Sequence, residues 1–350
     1  MSASHAGFPV EDSAHVAAVR REAQRAAQSL DFSEARAGQV ALIVSELGTN
    51  LVKHATRGEI LLRMTDEHVS DRVGLEVLAL DHGPGIPDVA LSAQDGYSTA
   101  GSLGHGLGAI RRQSDFLDIY TQPSGTAILA RIGRDARPAP ERRSRLEIGA
   151  VQVNATGERV SGDDWMTRMR DGRFSLLMAD GLGHGLAAHE AARRAVTEFD
   201  RLHDEEPSTI VGALHAALRS TRGAAVAVAI LDIDRGVVRY SGLGNIAGVI
   251  LAPGSRGHSM VSQNGTAGHT AARIQEFQYP FPPQSILLMH SDGVGTHWDL
   301  AAYPGLRSHH PSLIAGVIYR DFSRRRDDVT IVAVKDRSGM EHASGGADKL

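Results

Sequence analysis

Aspartates beside apolar runs are the first feature of this 350-residue chain that suggests chemistry. In the second half, Ser161-Gly162-Asp163-Asp164, Asp180-Gly181-Leu182-Gly183-His184-Gly185, Ser291-Asp292-Gly293 and Arg326-Asp327-Asp328-Val329-Thr330 each border a strand-like run and carry turn residues. A single Asp-Gly is simply a turn. Several aspartates at strand ends can converge in space, and carboxylates so gathered need a cation to relieve their repulsion. Magnesium and manganese, which favour oxygen ligands, suit that donor set. His184 and His189 lie beside the second of these stretches and read as groups that stabilise its loop.

The first half offers a different pattern. Glu46 and Asn50, four residues apart in a helical stretch, project from one face. A carboxylate and an amide placed that way can hold magnesium and orient a hydroxyl. Asp81-His82-Gly83-Pro84-Gly85 follows a strong apolar strand, where an Asp can accept from an exocyclic amine such as that of adenine and glycines let the backbone approach a ring. Gly101-Ser102-Leu103-Gly104-His105-Gly106-Leu107-Gly108 then runs into Ala-Ile-Arg-Arg-Gln. Glycines opening a helix present N–H groups to phosphates at the positive end of its dipole. His54 and His105, beside these stretches, read as packing or hydrogen-bonding groups.

Composition narrows the chemistry further. The chain has no cysteine, which excludes disulfides, cysteine-zinc sites and thiol nucleophiles. A net charge of -4 provides no basic field for nucleic acid. No apolar run approaches the ~20 residues of a membrane helix, and the first residues carry no signal-peptide pattern, so the expectation is a cytoplasmic protein with neither nucleic-acid nor membrane partners.

Two domains are expected from the length. The elements that must position the candidate residues fall on either side of Arg134–Arg145, RDARPAPERRSR, which reads as a linker (134–145). Before it, helical periodicity over Glu11–Gln28 and Ser33–Ala55 precedes strand-like runs from Ile60, Val73, Phe116 and Ala127, predicting helices packed on one face of a mostly antiparallel sheet. After it, strands are predicted at Ile148–Val153, Phe174–Met178, Ala224–Asp232, Val237–Ser241, Ile246–Leu251, Ile286–His290 and Val329–Val334, with helices around Leu186–Phe199 and Ser208–Leu218. That pattern predicts a layered α/β sandwich over 146–336, with 337–350 as a flexible tail.

In order and spacing, the Glu46/Asn50, Asp81-Xxx-Gly83-Xxx-Gly85 and Gly101–Gly108 elements resemble the N, G1 and G2 boxes of the GHKL ATPase superfamily, with Ser124-Gly125-Thr126 as its closing Gly-Thr. The resemblance covers 10–133, and the stretch from Gly106 to Tyr120 looks like the RsbT-type switch kinases. It implies a Bergerat-type α/β sandwich in which Asn50 holds Mg2+, Asp81 binds the adenine of ATP, and Glu46 is the candidate base. Gly83, Gly85, Gly101, Gly104, Gly106, Gly108 and Thr126 would line the nucleotide. The same family includes RsbW-type anti-sigma factors, so both a kinase and an ATP-binding sequestering module remain open.

The aspartate set resembles PPM phosphatases of the SpoIIE and RsbX branch, which implies an αββα sandwich with two Mn2+ or Mg2+. By that resemblance Asp163, Asp180 with the Gly181 carbonyl, Asp292 and Asp327 hold the ions, Asp180 bridges them, and Asp328 supports. The α/β (α+β) fusion then implies a bifunctional regulator of a bacterial partner-switching pathway: a Ser/Thr kinase-like domain and a phosphoserine/phosphothreonine phosphatase acting on STAS-domain antagonists or stressosome-like proteins. A sigma factor or switch protein is the partner in the sequestering alternative. Domains of the first type often pair, which makes a homodimer through it a further expectation.

Overall fold

The computed structural model describes residues 4–65, 73–89, 106–135 and 144–338. The chain forms two compact units, one comprising His5–Glu141 with Ala302–Arg320, the other Arg142–Ala301 with Asp321–Leu350 and the first four residues.

In the first unit, α1 (Ser13–Ser29) and α2 (Glu34–His54) begin on side-chain caps. Asp12 accepts from the His15 amide at 2.9 Å, and Ser33 accepts from the Arg36 amide at 3.3 Å, each satisfying a helix N–H that has no partner inside the helix. A third helix, α3 (Gly106–Gln113), follows later in the chain. The sheet consists of β1 (Ala6–Val10), β2 (Gly58–Thr65), β3 (Gly74–Leu80), β4 (Phe116–Gln122) and β5 (Gly125–Gly133), in the order β1-β2-β3-β5-β4 with every pair antiparallel.

Side chains alternate across a strand. Ile60, Leu62, Leu75, Val77, Ala79, Ile128, Ala130 and Ile132 accordingly form one core with Val40, Ile43, Leu47, Leu51 and Ile110 of the helices. The opposite face is covered as well. Every residue of β3 is buried, and the helix Pro311–Phe322 lies against that face, with Leu78 and Leu80 beside Gly316. The expectation of helices on one face alone is therefore corrected by a segment about 180 residues downstream of the sheet.

The second unit contains two main sheets, antiparallel throughout except where β13 pairs in parallel with β10. Strands β6 (Leu146–Val153), β11 (Ala247–Leu251), β12 (His258–Met260), β17 (Ile286–His290) and β18 (Val329–Asp336) form one, in the order β12-β11-β17-β18-β6. The other runs β13-β10-β9-β8-β7, built from β7 (Asp163–Arg170), β8 (Arg173–Gly181), β9 (Ala224–Asp232), β10 (Val237–Leu243) and β13 (Ser262–Gln263). Of the remaining short strands, β16 (Phe277–Pro280) pairs with β10, and β14 (Gly265–Thr266) with β15 (Thr270–Ala271).

Helices α4 (Leu186–Leu202) and α5 (Pro207–Ala217) pack on the β7–β10 sheet through an Ala-rich core of Ala191, Ala192, Ala195, Phe199, Ile210 and Leu214 against Leu177, Ala179 and Val228. The small alanine side chains let α4 approach closely. Gln152 of β6 donates to the Asp163 carbonyl at 2.7 Å, tying the two sheets together at the end where Asp163 stands. The remaining helix, Pro311–Phe322, is α6.

Candidate functional site

Strand register brings the first two aspartates together. Asp163 opens β7 and Asp180 lies next to last in β8, and the two are direct cross-strand partners. Beyond Asp180 the chain must turn sharply into α4, and Gly183 and Gly185 do so at φ of 84° and 76°, a left-handed conformation that side chains disfavour. Gly181 needs its missing side chain for another reason, because a Cβ there would collide with the Ala188 carbonyl.

Asp292 follows β17 and Asp327-Asp328 precede β18, strands that are themselves paired. Gly293 packs against the Asp328 carbonyl so closely that no Cβ fits. The four motifs lie near enough for their carboxylates to act on one another's charge. Burial first, then the charges of Asp163, Asp292, Asp327 and Asp328, push the Asp180 carboxyl up to about 9. Burial is also the main cause for Asp163, which rises to about 7 with Asp328 and Asp292 adding repulsion and the Ser291 and Thr330 hydroxyls opposing it. Asp292 and Asp328 are raised too, chiefly by burial.

The donors present suit a divalent cation. Asp163 Oδ2 is buried without a hydrogen-bonded partner of good geometry, and a buried, unpaired carboxylate oxygen is costly unless a charge compensates it. Among the described residues, no group of three or more His, Asp or Glu side chains is placed, as it stands, to hold a metal ion. The two aspartates of the last motif differ in their hydrogen-bond partners. Asp328 Oδ1 accepts from the Ala155 amide and Oδ2 from the Gly162 amide, both at 2.8 Å, so its two oxygens are committed to the backbone of the loop that carries Asp163. Asp327 has one oxygen accepting from the Asp328 amide at 2.9 Å and is exposed.

His184 meets Glu158 at 2.6 Å, and His189 Nδ1 donates to the Ser161 carbonyl at 2.9 Å. Both histidines thus tie the α4 entry to loop 158–161. Asn245, which sequence reasoning did not single out, donates to Asp292 Oδ2 at 2.7 Å. No spacing or motif marks it, since it is brought to Asp292 only by the pairing of β11 with β17.

In the other unit, α2 presents Glu46 and Asn50 one turn apart, and the start of α3 packs on both. A Cβ on Gly106 would stand 3.4 Å from Asn50 Oδ1 and 3.6 Å from Glu46 Oε2. Segments 56 residues apart in sequence thereby meet with only glycine between them. Gly108 is buried within α3, while Gly101, Gly104 and His105 lie outside the described residues.

Asp81 follows β3 directly, and its Oδ1 accepts from the Gly83 amide at 2.6 Å and the Thr126 amide at 3.3 Å. Burial raises its pKa against these bonds and against the charges of Arg320 and His82. Gly85, at φ of 82°, turns the chain where a Cβ would meet the Gln122 carbonyl at 2.5 Å. The next amide, of Ile86, donates to Thr121 Oγ1 at 2.8 Å. Thr121 in turn shares a hydroxyl contact of 3.1 Å with Thr126, so Asp81, Gly85 and Thr126 are held as one structure.

A helix-backed antiparallel sheet with these three elements at its end has the architecture of a GHKL-type ATPase domain, and two stacked sheets with aspartates at their strand ends have that of a PPM phosphatase. Residues 9–132 match the histidine kinase-like ATPase domain family, and 170–337 match the stage II sporulation protein E (SpoIIE) family.

Over 102 residues, 29% of this chain and 74% of the relative, the sequence is 36% identical to the serine/threonine-protein kinase RsbT of Bacillus subtilis (strain 168). Over 197 residues, 55% of this chain and 96% of the relative, it is 20% identical to the phosphoserine phosphatase RsbX of the same organism. A solved structure described under the bacterial stressosome, as a modular system adapted to control secondary messenger signalling, aligns with a TM-score of 0.51 and 26% identity, covering 55% of this chain and all of that one. The chain belongs to the RsbT-like family of histidine kinase-like ATPase domains through its N-terminal part, and joins to it a SpoIIE/PPM-type phosphatase domain. Among the described residues no helix is long and apolar enough to cross a membrane.

Proposed function

We propose that this chain is a bifunctional phosphorylation regulator. Its phosphatase half hydrolyses phosphoserine or phosphothreonine on a STAS-type antagonist, and its ATP-binding half transfers phosphate to the same class of partner. The observation that carries the reading is the register pairing of Asp163 with Asp180, which sets a buried carboxylate directly beside a half-buried one.

In this reading Asp163, Asp180 with the Gly181 carbonyl, Asp292 and Asp327 hold two Mn2+ or Mg2+, and Asp328 supports them from behind by fixing the loop at Ala155 and Gly162. Such a metal pair, when bound, lowers the pKa of water and neutralises phosphoryl oxygens, which allows direct hydrolysis in a protein with no cysteine. Asn245 orients the Asp292 carboxylate. The two histidines tie the turn that follows Asp180 and Gly181 to the loop 158–161.

In the ATP-binding half Asn50 contributes to a Mg2+ site, Asp81 accepts from the adenine amine, and the 101–108 glycines cover the phosphates. Thr126 fixes the Asp81 carboxylate. Glu46 stands beside Asn50 against Gly106, placed to take the proton of an incoming Ser or Thr hydroxyl while the phosphates are held.

The test uses the full chain and its Asp180→Asn variant. Manganese-dependent hydrolysis of a phosphopeptide is expected to vanish in the variant, and undiminished activity there would overturn the metal assignment. With the phosphatase disabled, labelled ATP and candidate STAS proteins should yield a stable phosphoprotein. ATP binding without label transfer would instead favour a sequestering module in which the phosphatase half is the only enzyme.

A further inference from the structure

Helix α6 lies in the stretch of sequence matched by the SpoIIE family, yet Ala302–Arg320 belongs to the unit built by the N-terminal half. Its attachment is polar as well as apolar. Ser312 Oγ donates to Glu76 Oε2 at 2.9 Å, and the Tyr319 hydroxyl donates to Glu59 Oε1 at 3.1 Å. A Cβ on Gly316 would sit 3.3 Å from Leu80 Cδ2 and 3.4 Å from Leu78 Cδ2. The helix therefore presses its backbone against the end of β3 that leads to Asp81.

Arg320 stands at that end. It is 4% exposed, and its Nη1 donates to the backbone carbonyl of Asp81 at 3.1 Å. Gly125, at φ of 145°, makes room for it, since a Cβ there would meet the Asp81 carbonyl and stand 2.7 Å from Arg320 Nη1. The next amide in the chain, that of Thr126, is one of the two that hold the Asp81 carboxylate. Arg320 thus braces the Asp81 carbonyl and the Gly125–Thr126 turn from one side, while the Gly83 and Thr126 amides hold the carboxylate from the other.

We propose that Arg320 is a positioning residue of the nucleotide site, so that a site for adenine-type nucleotides is completed by a helix supplied from the phosphatase half of the sequence. This rests on the reading of Asp81 as the base-recognising group. Arg320 acts through Asp81 and does not touch the nucleotide. A buried guanidinium has lost its water and makes strong charge-assisted hydrogen bonds, so its removal leaves a backbone carbonyl unsatisfied and lets the Asp81 turn shift. Specificity that depends on hydrogen bonds to one exocyclic amine is lost with a displacement of that kind.

The experiment is calorimetric titration of the full chain with ATP and with inosine triphosphate, which carries a carbonyl where adenine has its amine. Arg320→Met, Arg320→Gln and Arg320→Lys are compared, with thermal melting as the check on folding. Arg320→Met and Arg320→Gln should each bind ATP about tenfold more weakly and lose most of the preference for ATP over inosine triphosphate. Arg320→Lys should recover part of both. If Arg320→Met does not fold, Arg320→Gln decides. A folded variant without the guanidinium that keeps the wild-type ATP affinity and ATP preference overturns the role of Arg320. A wild-type chain that binds ATP with no preference over inosine triphosphate overturns the reading of Asp81 instead, and Arg320's role falls with it.

Discussion

Burial and neighbouring carboxylates hold Asp163 and Asp180 up to about 7 and about 9, whereas an Asp in an unfolded chain titrates near 3.9. A carboxyl whose folded pKa is raised stabilises the fold while protonated, and that contribution is lost as pH rises through the folded value. The metal-free protein should therefore melt at a progressively lower temperature between about pH 5 and about pH 9, relative to Asp180→Asn. Cation binding needs the deprotonated carboxylates, so stabilisation by Mn2+ should grow over the same window. Melting curves in chelator and in Mn2+ measure both effects, and a chelated wild type that gains stability against the variant across that range contradicts the assignment. Asn245→Ala should weaken Mn2+ binding roughly 10- to 100-fold through the freed Asp292 carboxylate, read by metal titration. The aspartates were visible in the sequence because each stands beside an apolar run with glycine or another turn residue. Asn245 was not, because its amide reaches the Asp292 carboxylate only through strand pairing that no local pattern encodes.

At the scale of elements, four strands of the first unit were read as strands, while β1 (Ala6–Val10) and the surroundings of one face were not. Glu59, Arg63, Glu76 and Arg131 alternate with apolar residues and so look like a solvated sheet face. They are instead buried or nearly so. Glu76 is fully enclosed, with Arg63 at 2.8 Å, Arg131 at 2.6 Å and Ser312 at 2.9 Å. Burial works against its charge, but Arg63, Arg131 and His5 prevail and hold its pKa well below the ordinary range. Its stabilising contribution is accordingly present at neutral pH and is lost only as pH falls through that depressed value. Removing one member of a buried ionic network leaves the others uncompensated, so Glu76→Ala should cost about 3–5 kcal/mol. Urea unfolding at neutral pH measures this, and a loss below about 1 kcal/mol, the usual worth of an exposed ion pair, would show that the network is not buried as described. Helix α6 itself, PSLIAGVIYRDF, escaped sequence reading for the converse reason. Buried from Pro311 to Arg320, it has no polar face to give it helical periodicity.

For the molecule as a whole, the Pro- and Arg-rich stretch 134–145 marks where one sheet system ends and another begins, but the chain does not partition its packing there. The first unit takes its last layer from Ala302–Arg320. The return of a later segment to an earlier sheet is a long-range contact that composition cannot signal. The consequence is testable with a fragment ending at Glu141. Without α6 it would expose Leu61, Leu78, Leu80 and Leu129, all buried on one sheet face in the full chain, together with the Glu76 cluster stripped of Ser312. A contiguous apolar face of that kind drives association. The fragment should elute as oligomer or aggregate and bind a hydrophobic dye. Appending residues 302–320 through a flexible linker of about 15 Gly and Ser residues, with a mean reach of about 20 Å, should restore a monomer that binds no dye. A fragment 1–141 that is monomeric and melts at the same temperature with or without the appended segment would show that α6 is dispensable to this unit, and that its charged sheet face folds stably in contact with water.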